Sequence, residues 1–212
     1  MVYWPMCLRT PRRPAALAAL VLALAAAPSG QAGAAEPTVF MQFTKHVISH
    51  MSRDKEAFAQ ASTCLSWFYK ASKTPPPPAV QGISWRRAAD FDPDQECRKQ
   101  YPGGMDTARD MFAKHQALLS VCLTVYEFAL VADRDDNRTY SVTELQDLLQ
   151  SLSLPYDPAD SSRQTGATLT ARFDQWYRTR SLDDVMKGMG TLYERGYRMT
   201  SQDRAELNRV MQ

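Results

Sequence analysis

The 212-residue chain contains no Gly-x-Ser-x-Gly elbow, no Walker loop, no Rossmann glycine pattern and no zincin histidine pair. Each of those patterns carries a defined chemistry, and their absence speaks against an enzyme. No stretch alternates apolar and polar residues long enough to predict a strand, so the expected class is all-α. Cysteine is scarce, at four residues, and no two stand at metal-ligand spacing, which argues against a structural zinc site. Histidine is scarcer still, at three. His46 and His50 lie one helical turn apart, a spacing that can hold a transition metal, but no third ligand stands near them in the chain. They are expected as two exposed histidines on a polar face, and His115 stands alone.

Charge of one sign is also missing once the N-terminus is set aside. Residues 1–35 carry Arg9, Arg12 and Arg13 and no acid, then thirteen apolar residues from Ala15 to Ala27, then small residues at Ala32-Gly33-Ala34-Ala35. That order describes a secretory signal peptide, and the apolar run is shorter than the roughly 20 residues a membrane span needs. Pro11 and Pro14 flank Arg12-Arg13, so a general secretory route is expected over a twin-arginine one. Of 25 Lys+Arg, three precede residue 36, leaving 22 against 23 Asp+Glu, a net charge of −1. Such a balance makes no electrostatic case for nucleic acid or an anionic membrane. With no later segment read as transmembrane, an exported protein, periplasmic or secreted, is expected. In that setting one disulfide can form among Cys64, Cys97 and Cys122. Cys122 sits in an apolar helical run, so Cys64 with Cys97 is the preferred pair.

The chain reads as residues 1–35, a signal; 36–79, a long helix and a Pro-rich connector; and 80–212, a helical region. Phe40, Phe43, Val47, Met51, Phe58, Ala61, Leu65 and Phe68 recur at three- and four-residue steps, predicting one face of a helix from about Thr38 to Ser72. Pro75 to Pro78 ends it and reads as a stiff connector. Residues 80–104 are expected to be irregular, with the Asp90-Phe-Asp92-Pro-Asp94 stretch a solvated acidic turn. Helical patterns follow at about Met105–Ala132, Val142–Leu152, Thr168–Arg178, Ser181–Glu194 and Thr200–Met211, and Thr200 with Asp203 forms a capping pair. The aromatic residues Trp67, Phe68, Tyr69, Trp85, Trp176 and Tyr177 are expected in packing rather than in a ligand box.

Between the second and third patterns stands Asp133-Arg-Asp135-Asp136-Asn137-Arg138-Thr139-Tyr140-Ser141-Val-Thr143-Glu144. Calcium takes six to eight oxygens, and a tight loop can aim alternate side chains at one centre. Asp133, Asp135 and Asn137 fall at loop positions 1, 3 and 5. Thr139 at position 7 offers its carbonyl, Ser141 at 9 ligates directly or through water, and Glu144 at 12 can close the shell with both oxygens. Apolar helical patterns flank the loop, with Leu145, Leu148, Leu149 and Leu152 on the exiting one. A glycan on Asn137, which the Asn137-Arg138-Thr139 sequon formally allows, would remove a ligand and is discounted.

This stretch, about residues 112–153, resembles the EF-hand calcium-binding superfamily, and every side-chain ligand position matches. The resemblance implies bound Ca2+ and a helix-loop-helix. One departure is Arg138 at position 6, where the family has Gly; a non-Gly residue in the left-handed conformation costs about 1 kcal/mol. Together with Arg134 it adds positive charge near the cation, so micromolar-to-millimolar affinity is expected. Hands commonly pair through position 8, here Tyr140. Thr168-Leu169-Thr170 echoes Thr139-Tyr140-Ser141, which would make Ser162, Gln164 and Gly166 a degenerate partner loop. Upstream, Asp90, Asp92 and Asp94 have the acid pattern, but Tyr101 stands where a closing Glu belongs.

The leading expectation is a calcium-binding structural clamp of modest affinity. The alternative is a calcium-responsive interaction module that exposes Val131, Leu145 and Leu149 to an unknown protein partner.

Overall fold

A computed structural model describes residues 36–71 and 92–212. The signal segment, the Pro75–Pro78 connector, Trp85 and Asp90 lie outside the described residues. Seven helices follow one another, and no strand occurs among the described residues: α1 (Val39–Ala71), α2 (Pro93–Gln100), α3 (Met105–Ala132), α4 (Val142–Ser151), α5 (Ser162–Thr179), α6 (Leu182–Glu194) and α7 (Ser201–Met211). The all-α expectation holds.

Helix α1 begins where Thr38 accepts the Met41 N–H on its hydroxyl, at 3.2 Å, an N-cap bond that serves an otherwise unpaired donor. Its predicted apolar face buries Phe40, Phe43, Val47, Met51, Ala61 and Leu65, while Phe58 stacks on Phe112 of α3 with ring centroids 4.7 Å apart. One residue on that face is a carboxylate. Asp54 is 2% exposed, and a buried charge needs partners. His115 Nδ1 lies 2.7 Å from one of its oxygens, and the Tyr177 hydroxyl donates to the other at 2.9 Å.

The packing partner of α1 along its length is α3. From Leu118 to Ala132 this helix buries ten residues, among them Val121, Cys122, Phe128, Leu130 and Val131. It is also long and apolar enough to cross a membrane by length and composition alone, which corrects the expectation that no such segment follows the N-terminus. Its apolar side chains belong to a core shared with α1, α4, α5 and α6. A smaller cluster joins Ala61, Cys64 and Leu65 of α1 to Cys97, Tyr101 and Ala108. Cys64 and Cys97 are disulfide-bonded with Cα atoms 5.2 Å apart, and Cys122 is a buried free thiol, as its apolar setting suggests.

Two expectations fail here. The stretch before Tyr101 is not wholly irregular, because Pro93 opens α2: Asp92 caps the helix by accepting the Asp94 and Gln95 N–H groups. Proline at the first helical position costs nothing, since its missing N–H would be unpaired there anyway. The second failure concerns the degenerate partner loop. Ser162, Gln164 and Gly166 lie in the first turns of α5, which Ser161 caps, and Thr168-Leu169-Thr170 lies inside the same helix. Tyr140 instead meets the Phe40 ring of α1, with centroids 5.5 Å apart.

Candidate metal centre

Helix α3 stops at Asp133, whose N–H bonds back to the Leu130 carbonyl. Helix α4 starts at Ser141 through a capping box: the Ser141 hydroxyl accepts the Glu144 N–H at 3.3 Å, and Glu144 Oε2 accepts the Ser141 N–H at 2.8 Å. Between these ends the chain reverses through two left-handed residues, Asp136 at φ 56° and Arg138 at φ 64°. Arg138 thus adopts the strained conformation expected of the sixth loop position, at a cost near 1 kcal/mol.

The turn is knitted by the same side chains that were expected as ligands. Asp133 accepts the N–H groups of Asn137 and Arg138 at 3.2 and 2.9 Å, and Asp135 accepts the Asn137 N–H at 3.3 Å. Asn137 Oδ1 accepts the Thr139 N–H at 2.8 Å. Glu144 reaches across the loop, so that Oε1 takes the Arg134 N–H at 2.7 Å. The result brings carboxylate oxygens of Asp133, Asp135 and Glu144 within 4.8 Å of one another. Asn137, Thr139 and Ser141 stand on the same loop, Ser141 as the cap of α4.

Burial decides what this convergence means. Asp133 is 1% exposed and Glu144 5% exposed, whereas Asp135 is open to solvent. Two buried carboxylates beside a third repel one another, and protein interiors hold such charge only when it is paired or binds a metal. Burial pushes the Asp133 carboxyl up to about 6, against the lowering pull of the Arg138 and Asn137 N–H groups and the Arg138 charge. The donor set is all oxygen, with three carboxylates and lone pairs left over after the loop hydrogen bonds. That chemistry fits a hard divalent cation such as calcium and does not fit a soft metal.

Neighbouring helices hold the loop from outside. The Thr38 hydroxyl donates to the Arg138 carbonyl at 3.3 Å, and the Tyr140 hydroxyl donates to the Ala129 carbonyl at 3.0 Å. Phe40 meets Tyr140 edge-on, with centroids 5.5 Å apart, and the Arg138 guanidinium lies 5.6 Å from the Phe40 ring centre. Arg138 Nη1 sits 3.8 Å from both Asp133 Oδ2 and Asp203 Oδ1. Asp203 is fully buried, closes the Thr200 capping box of α7, and has its carboxyl pushed up by burial, with nearby Asp136 adding to the rise. Sequence reasoning found that capping pair but missed that it reaches the loop, because 65 residues separate Arg138 from Asp203.

The histidines also differ from expectation. His46 and His50 are neither isolated nor fully exposed: both face Asp174 of α5, which stands 128 and 124 residues away in the chain. No family model, curated protein or solved structure matches the chain.

Proposed function

We propose that the chain binds one calcium ion in the loop 133–144, in the manner of an EF-hand, and that the ion clamps the surrounding helices together. The observation that carries the reading is the convergence of Asp133, Asp135 and Glu144, two of them buried, with the Arg138 guanidinium beside Asp133. Asn137, Thr139 and Ser141 complete the ligand set, the last directly or through water. The protein's role is to hold these oxygens close before metal arrives. Binding removes the repulsion among carboxylates and requires Asp133 to be ionised.

A clamp is favoured over a groove-opening sensor by what covers the exiting helix. Val131 and Leu149 are buried in the main core and Leu145 packs against it. On α6, Gly188 comes so close that an added Cβ would lie 3.3 Å from both a Leu152 methyl carbon and the Ser151 carbonyl oxygen. Opening this helix pair would break that packing. The disulfide between Cys64 and Cys97 supports an oxidising, calcium-rich compartment, in keeping with the proposed export signal.

Thermal melts in calcium and in chelator, with an apolar-surface dye present, test the clamp. A higher Tm with calcium is expected, by about 2.7 kcal/mol of added stability at one hundred times the Kd, with no gain in dye binding. Dye binding that rises with calcium would sink the clamp in favour of a sensor.

A further inference from the structure

A second cluster lies on the α1–α5 interface and shares no residue with the loop. His46 and His50, one turn apart on α1, project from the same face. Asp174, on α5, meets both: its Oδ1 is 2.8 Å from His46 Nε2 and 3.6 Å from His50 Nε2. One ligand atom from each of the three lies within 4.8 Å of the others.

An ordinary ion pair accounts for the shorter contact and leaves the longer one unexplained. At 3.6 Å, His50 Nε2 is beyond hydrogen-bond reach of the carboxylate. His50 Nδ1 is buried without a hydrogen-bond partner. The His50 side chain is only 15% exposed, yet neither ring nitrogen is hydrogen-bonded among the described residues. His50 Nε2, the nitrogen turned to Asp174, is thus left with a lone pair that no described residue takes up.

The ring is nonetheless held in place. Phe173 and Tyr177 present T-shaped contacts to it, with centroids at 5.2 and 4.5 Å, and Phe173 holds His46 likewise at 5.6 Å. Tyr177 is itself fixed by its bond to the buried Asp54. Two imidazoles oriented by aromatic edges toward one carboxylate oxygen form a pre-built donor set.

We propose that His46, His50 and Asp174 bind a divalent transition metal of the zinc class. Zinc bonds of about 2.0–2.2 Å to nitrogen and oxygen place neighbouring ligand atoms roughly 3.3 Å apart, between the two distances observed. The metal takes the lone pair of His50 Nε2, which stands 3.6 Å from the carboxylate and is outside hydrogen-bond reach of it. Imidazole nitrogen suits zinc, nickel or copper and disfavours calcium, so this site and the loop select different ions. Three protein ligands leave a fourth position for water, on the side where His46 and Asp174 are 32% and 41% exposed.

The test is calorimetric titration of the purified protein with Zn2+ alone, in saturating calcium so that the acidic loop is already occupied. One equivalent is expected, and His46→Gln and Asp174→Asn are each expected to weaken it by more than about 100-fold, beyond what outer-shell changes cost. Both side chains are partly exposed, and circular dichroism checks that the helices persist; if one variant unfolds, the other decides. Co2+ offered instead should give the intense visible absorption of a low-coordinate nitrogen–oxygen site. The absence of saturable zinc binding, binding unchanged in the folded variants, or a Co2+ spectrum like that of the aquo ion would each overturn the proposal and leave a His–Asp pair that only joins two helices.

Discussion

Arg138 Nη1 lies 3.8 Å from Asp133 Oδ2, so the loop 133–144 sets its own positive charge against the first of its proposed calcium ligands. Asp203 from α7 holds the same guanidinium atom at 3.8 Å from the other side. A residue that family resemblance marks as a departure is thus built into the packing between the loop and the last helix. The internal cation partly offsets the loop carboxylates and, under the proposed function, would compete with calcium.

Replacing Arg138 by Gly or by Met is predicted to tighten calcium binding by roughly fivefold, about 1 kcal/mol, because a like charge beside the ion is removed. Met keeps the left-handed strain and Gly releases it. Equal tightening in both would assign the effect to charge, whereas tightening in Gly alone would assign it to the backbone. Calcium titrations of both variants read the difference.

The disulfide should matter for stability and not for the loop. Its two cysteines are separated by 33 positions, and closing a ring of that size stabilises by about 3–4 kcal/mol on the chain-entropy model. Urea unfolding with and without reductant should show a lowered midpoint, while calcium affinity of the reduced, still folded protein stays the same.

Glu206 links α7 to the core, since the Tyr126 hydroxyl donates to it at 2.9 Å. The bond from Arg209, with Tyr126 aiding, holds its carboxyl down to about 2, below the usual 4.5. A carboxyl lowered on folding stabilises fully above its unfolded value, and that stability is lost as pH falls through the folded one. Glu206→Gln should therefore be less stable than the parent at pH 6, by up to about 1 kcal/mol given the exposed Arg209. The gap should close between pH 4.5 and 2. A gap independent of pH would mean that packing, and not charge, is what the variant loses.

Much of this arrangement is legible in the chain because it is local. The α1 stripe, the Thr200–Asp203 cap and the loop spacing all depend on residues within a few positions of one another. Pro93 misleads because proline both breaks helices and starts them, and only the hydrogen bonds of Asp92 show which. Thr168-Leu169-Thr170 misleads because three residues alike in type carry no period, and the Ser161 cap begins a helix before them. The meeting of His46 and His50 with Asp174, and of Arg138 with Asp203, depends on how distant helices pack. No spacing rule reaches across such separations.

The proposed calcium site depends most on Glu144, the buried acid that both caps α4 and lies beside Asp133. Calorimetric titration of the parent and of Glu144→Gln with calcium tests it most directly. One site of micromolar-to-millimolar Kd in the parent, weakened by more than about tenfold in the folded variant through loss of a charged, bidentate ligand, is the predicted result. A parent that binds no calcium at millimolar metal, or a variant that binds as well as the parent, would contradict the assignment of the loop.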